Sequence, residues 1–161
     1  MLNPLAWLLG LALPACAAAG AAGVPVPPPM DISRIVRPAT PNTALAAPSE
    51  FAPSPDVFVP ALHLPPQQMF ALIHRVAAAQ PRTYLAADYA DRLQADWVAR
   101  SRVFNFPDLV MVQVLPAGPG ASTLVIYSRS VYGHSDLGVN LARVRAWLAA
   151  VDDAIPTSTE R

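Results

Sequence analysis

From Ser128 to Leu148 the chain reads SRSVYGHSDLGVNLARVRAWL. Hydroxyls, an imidazole, a carboxylate, an amide and two guanidinium groups crowd into its first two-thirds. A hydroxyl, an imidazole and a carboxylate are the parts of nucleophilic acyl transfer. Guanidinium groups beside the free amides of a helix start are the parts of an anion site. The first chemistry needs a base within hydrogen-bond reach of Ser128 or Ser130, with donors for the oxyanion. Neighbours along a strand do not create that geometry, and no G-x-S-x-G elbow is present. The second needs only a helix that begins near His134. The candidate anion site is therefore Arg129, His134, Ser135, Asp136, Gly138, Asn140 and Arg143, with no catalytic residue assigned. Each also has a structural role open to it. Asp136 would cap the helix. Arg129 and Arg143 would pair with buried carboxylates such as Asp136, Asp96 or Asp108. His134 would be a solvated loop residue.

Two elements must position these side chains. Ser122–Val131 alternates as a strand. Leu124, Ile126, Ser128, Ser130 and Tyr132 share one face; Val125, Tyr127, Arg129 and Val131 share the other. Leu137, Leu141, Val144, Leu148 and Val151 form an apolar helical stripe, with Asp136 or Ser135 at the N-cap. Asp136, Asn140, Arg143 and Trp147 fall about a quarter turn away, at the edge of a helix–sheet interface. Gly138 and Asn140 are poor helix formers in the first turn, and such a breach of local propensity marks close approach or a site.

Upstream, Pro65 and Pro66 suit a helix start. Met69, Leu72, Ile73 and Val76 give a helix over 67–79, ended by Pro81. Thr83–Asp88 and Leu93–Arg100 read as strands. Asn105–Asp108 is a turn, Leu109–Leu115 a strongly apolar strand, and Pro116–Gly120 a hairpin loop. Asp56–Leu64 is a short extended piece able to pair with a sheet edge. Trp97, Phe104 and Phe106 read as core and loop anchors, or as the lining of an apolar pocket; His74 reads as an edge residue. Short loops imply antiparallel neighbours. The expected fold is α+β: a two-layer, four-stranded antiparallel meander, with an N-terminal and a C-terminal helix packed on one face.

The 161 residues carry 11 basic and 11 acidic side chains, which removes any electrostatic reason to expect nucleic acid as a partner. A single cysteine excludes an internal disulfide and a multi-cysteine metal site. His63, His74 and His134 lack the spacing of a metal pair, so neither metal nor cofactor is expected. The apolar run from Leu5 to Ala22, with small residues at its end, reads as an export signal, although no Arg or Lys precedes it. Leu13-Pro14-Ala15-Cys16 resembles a bacterial lipobox, with Pro14 a departure. Lipidation at Cys16 would hold the chain on a membrane, each buried methylene contributing about 0.8 kcal/mol. Cleavage near 17–19, discarding Cys16, is the alternative. Most of the 19 prolines precede Gln67, and a Pro-rich stretch has little to bury. The expected organisation is a signal peptide or lipoprotein leader at 1–22, a Pro-rich linker at 23–55, an α+β domain at 56–155 and a disordered tail at 156–161. On that reading residues 17–64 act as a stalk.

GHSDLGVNLARVRAWL resembles the closing signature of the uncharacterised bacterial family called domain of unknown function 1499. Gly133, Ser135, Asp136, Leu137, Gly138, Val139, Asn140 and Arg143 match it. Phe104, Phe106 and Asp108 resemble the family's Phe-x-Phe-x-Asp segment, and Pro41 and Asn42 its Pro-Asn motif. The chain departs from the family at Val131 and Tyr127, where arginines are common; Arg129 lies between them on the same strand face. The resemblance implies a bacterial envelope setting and no particular reaction. The functional expectation is a non-enzymatic, lipid-anchored or periplasmic domain, binding a protein partner or a small apolar or anionic ligand. The alternative is a small hydrolase-like enzyme at the junction of the last strand and last helix.

Overall fold

The computed structural model describes residues 14–26 and 28–155. Most of the expected leader and all of the expected tail lie outside them. A one-turn helix α1 (Pro14–Ala17) comes first. It is followed by β1 (Thr43–Ala47), β2 (Val57–Phe58), α2 (Pro66–Ala79), β3 (Thr83–Tyr89), β4 (Gln94–Arg100), β5 (Pro107–Pro116), β6 (Ser122–Ser130) and α3 (Val139–Ala154). Single 3-10 turns lie at Ile32–Arg34 and Ala90–Arg92. Among the described residues no helix is long and apolar enough to cross a membrane.

The α+β class holds, and β3 to β6 form the antiparallel meander. The sheet is larger than four strands. Its order is β2-β1-β6-β5-β4-β3, with β1 antiparallel to β6 and parallel to β2. The two extra strands make it mixed and six-stranded. β1 went unseen in the sequence because TALAA, framed by prolines, shows no alternation. It is buried on both faces, and such a strand has no polar side to alternate with. Residues 23–55, expected as a linker, therefore belong in large part to the domain.

Both long helices cover one face, as their single apolar stripes require. Met69, Leu72, Ile73 and Val76 of α2, with Val144, Trp147 and Val151 of α3, close over Trp97, Val110, Val112, Leu124 and Ile126. The Trp97 and Trp147 rings meet edge to face at 5.5 Å, and the His74 ring packs edge-on between Phe70 and Trp97. The opposite face is covered too. Met30, Ile32, Ile35 and Phe51 pack on Leu45, Met111, Val125 and Tyr127. Ala15, Ala21 and Val24 pack on Val98 and Leu109. The Pro-rich segment is thus a strap across the back of the sheet. Pro-rich chain lacks donors for a ladder, but it can lay apolar side chains on a sheet.

The last helix starts later than its pattern suggests. Asp136 is not its first turn: the N-cap is Gly138, with φ 82°, and Leu137 stands at φ 55°. Leu137 is 94% exposed rather than part of the stripe. Asn140, Val144, Trp147 and Val151 form the fully buried line instead, flanked by half-buried Leu141 and Leu148. Phe104 and Phe106 are also exposed and stack on each other at 5.5 Å; only Trp97 of that trio enters the core.

Candidate functional site

The junction between β6 and α3 is a closed hydrogen-bond network. Its centre is Asn140, fully buried one residue into α3. Its Nδ2 donates to Asp136 Oδ2 at 2.7 Å, Ser130 Oγ at 3.1 Å and the Asn42 carbonyl at 3.1 Å. Its Oδ1 accepts from Ser128 Oγ at 2.5 Å and Arg143 Nη1 at 2.7 Å. Arg143 also donates to Ser128 Oγ at 3.1 Å, and its Nη2 to Asp108 Oδ2 at 2.7 Å. Asn42, on the approach to β1, closes the far side through Nδ2 to the Gly133 carbonyl at 2.7 Å, and its Oδ1 accepts from Thr40 Oγ1 at 2.9 Å.

The helix start is satisfied from within. Asp136 Oδ1 accepts from the Gly138 amide at 2.9 Å and Oδ2 from the Asn140 amide at 2.8 Å. Gly138 permits this because glycine adopts, without backbone strain, the positive φ that carries the chain from Asp136 into the helix. The amides that an anion would use are therefore already bonded to a carboxylate. Asp136 does the work of a cap from two residues before the N-cap position.

The expected cluster thus separates into three parts. Asp136, Gly138, Asn140 and Arg143 come together with Ser128 and Ser130 on the helix-covered face. Ser135 is exposed and its Oγ only accepts from the Leu137 amide at 3.3 Å. His134 is exposed, with no partner among the described residues. Arg129 projects from the other face of β6, as the alternation requires, and the sheet divides it from Arg143. The pairing expected for Arg143 is found with Asp108. Arg129 has none: among the described residues it is the half-buried arginine without a hydrogen bond or ion pair.

Around Arg129 lies a cavity of about 450 Å³. Val36, Pro38, Thr40, Asn42, Thr43 and Tyr127 line it, with Ser130 at the end of β6, whose hydroxyl is itself bonded to Asn140 on the other face. Burial pushes the Tyr127 hydroxyl above its ordinary pKa, against smaller pulls from Arg129, Arg37 and Thr43. The Arg37 charge is spent on Asp56, with Nη2 to Oδ2 at 2.8 Å. The volume is in the range of small-ligand pockets. The sequence carried the Arg129 half of this site in the alternation of β6. It carried no signal for Thr40 and Thr43, which sit in the segment read as linker. Among the described residues no three His, Cys, Asp or Glu side chains gather as a metal site would require.

Two further polar features lie on β4, where Asp96 is a buried carboxylate as expected but pairs with no arginine among the described residues. Asp96 is fully buried on β4, facing the strap, and neither carboxylate oxygen has a partner among the described residues. Burial pushes its pKa up to about 6, against a smaller pull from Gln94. Gln94, with its amide oriented to satisfy both groups, holds the Met30 main chain: N to the carbonyl at 3.2 Å, O to the amide at 2.6 Å. Arg100 holds the strap further along.

No curated protein matches the chain. A crystal structure of TTHA0849 from Thermus thermophilus is similar over 59% of this chain and 92% of that one, at 11% identity and a TM-score of 0.37. That likeness is too slight to carry an argument. The family model described as Protein of unknown function (DUF1499) matches residues 36–151. That span begins before β1 and ends inside α3, taking in the whole sheet and the Asn140 network. The chain belongs to this family of proteins of unknown function.

Proposed function

We propose that this protein is a binding module of the cell envelope and not a catalyst, and that it holds an anionic group in the cavity beside Arg129. The observation that carries the reading is the half-buried Arg129 guanidinium, left without a counter-charge among the described residues, in a cavity whose polar lining includes Thr40, Thr43 and Tyr127. A guanidinium withdrawn from water needs a partner, and hydroxyls complete the coordination of a carboxylate or phosphate. The hydrolase alternative lacks its parts. The Ser128 proton is committed to an amide oxygen rather than a base, and His134 contacts neither Ser128 nor Ser130.

The envelope setting rests on the apolar leader and on Cys16 behind a lipobox-like tetrapeptide. In that setting the partner at Arg129 would be an acidic group of a small ligand or of an envelope macromolecule. Inorganic phosphate and a simple phosphate monoester are suitable probes. Titration followed by the backbone amide shifts of β1 and β6 is expected to saturate, and to weaken as salt rises. Arg129→Gln is expected to weaken binding about tenfold or more, the loss of a charge-assisted contact. If shifts fail to saturate in the wild type, or if Arg129→Gln binds as well, the reading is wrong.

A further inference from the structure

The strap is gripped at its first residues by two side chains from the domain. Arg100, only 5% exposed at the end of β4, gives Nε to the Gly20 carbonyl at 2.6 Å and Nη2 to the Ala22 carbonyl at 2.8 Å. Its Nη1 donates to the Ala15 carbonyl at 2.6 Å and to the Asn105 carbonyl at 3.1 Å. Asn105 Nδ2 donates to the carbonyls of Cys16 at 2.6 Å and Ala18 at 3.0 Å. Five carbonyls between Ala15 and Ala22 are thereby held by two side chains.

The segment itself, ACAAAGAA, offers almost nothing else to hold. Its side chains are small, and beyond the α1 turn its internal main-chain bonding is Ala22 N to the Ala19 carbonyl at 3.1 Å. Recognition through carbonyls suits such a sequence, because it does not depend on side chains. The clamp is also fixed in place. Asn105 sits at φ 56°, its Oδ1 accepts from Arg82, and Arg82 Nε donates to the Arg100 carbonyl at 3.3 Å. Beneath the segment, Val98 and Leu109 are buried by Ala15 and Val24.

We propose that Arg100 and Asn105 are a docking clamp for Ala15–Ala22, and that Cys16–Ala22 stays on the working protein, uncut between Cys16 and Ala22. Hydrogen bonds from a charged guanidinium are roughly twice as strong as neutral ones, and here they concentrate on chain that a conventional cut near 17–19 would in part remove. Such a cut would strip Asn105 of the Cys16 carbonyl and Arg100 of the Ala15 carbonyl, and would open the cover over Val98 and Leu109. A mature chain beginning at Cys16 keeps four of the five carbonyls. Under the anchored reading, a lipid on Cys16 then lies against the domain, with no free stalk between them. The inference stands or falls independently of whether Arg129 binds an anion.

Two measurements test it. Mass spectrometry of protein from its native host is expected to show an N-terminus at Cys16 or earlier; an N-terminus at Ala17 or later overturns the proposal. Elastase, which cuts beside small residues, is expected to cut the full-length chain slowly between Cys16 and Ala22. Asn105→Ala and Arg100→Gln should raise that rate about tenfold or more while the transition temperature identifies any variant that fails to fold. Should Arg100→Gln fail to fold, Asn105→Ala carries the test alone. Equal cutting rates in wild type and Asn105→Ala overturn the clamp.

Discussion

Asn140→Ala is expected to lower the unfolding free energy by about 3 kcal/mol, and the transition temperature by about 10 °C. The magnitude does not come from the bonds of one amide alone. Removing it leaves Ser128 Oγ, Arg143 Nη1, the Asn42 carbonyl and Asp136 Oδ2 each short of a partner in a largely buried site. An orphaned buried group costs its full desolvation, about 1–3 kcal/mol, and relaxation recovers part of the sum. Such a change takes a large share of the roughly 5–15 kcal/mol that keeps a domain folded. Asn140→Asp, nearly the same shape, is expected to cost at least as much near neutral pH. It turns the bonds donated to the Asn42 carbonyl and to Asp136 into repulsions and sets a second carboxylate against Asp136. Chemical denaturation of both variants checks this. Wild-type stability in Asn140→Ala would mean that water or neighbouring side chains replace the amide without loss.

The second large effect has the opposite sign. Asp96→Asn is expected to stabilise the protein above about pH 6 by about 1–2 kcal/mol, and to change little below about pH 4. The folded-state pKa is raised from 3.8 to about 6, so the folded protein binds a proton that the unfolded chain has lost. Stability is therefore full while the carboxyl is protonated in both states, and declines as pH rises from about 4 through about 6. The Asn side chain carries no charge and escapes that decline. Its gain falls short of the full shift because an unpartnered amide is also costly when buried. Thermal unfolding of the two proteins across this pH range is the measurement. Equal pH profiles would show that a partner compensates the Asp96 carboxylate, and a less stable variant near neutral pH would show that the charge is used.

Asp96, expected as a buried carboxylate paired with an arginine, is buried without that partner among the described residues. It lies on β4 among seven buried residues, Gln94–Arg100, and Gln94, Asp96 and Arg100 alternate with the core residues of that strand. The strap converts that face into an interior. Gln94 binds Met30, Asp96 is shut in, and Arg100 turns to the carbonyls of Ala15, Gly20 and Ala22. These three polar side chains became a clasp, a buried acid and a clamp. No window of the β4 sequence could report this, because the partner lies far upstream in chain with little hydrophobic pattern of its own.

The meander from Thr83 to Ser130, the helix over Pro66–Ala79 and the division of β6 into two faces were legible in the sequence. Each follows from a periodicity written in neighbouring residues: two for a half-buried strand, near 3.6 for a helix with one apolar stripe. The alternation placed Ser128 and Ser130 opposite Arg129, and the cluster SDLGVN marked the start of α3 to within a turn. What only the tertiary structure decided is who meets whom across the sheet. It added β1 and β2, laid the Pro-rich segment over the back face, saturated Asp136, Asn140 and Arg143 with one another, and left Arg129 alone at a cavity. Those outcomes depend on contacts between residues far apart in the chain and on the exclusion of water. Spacing along one segment records neither.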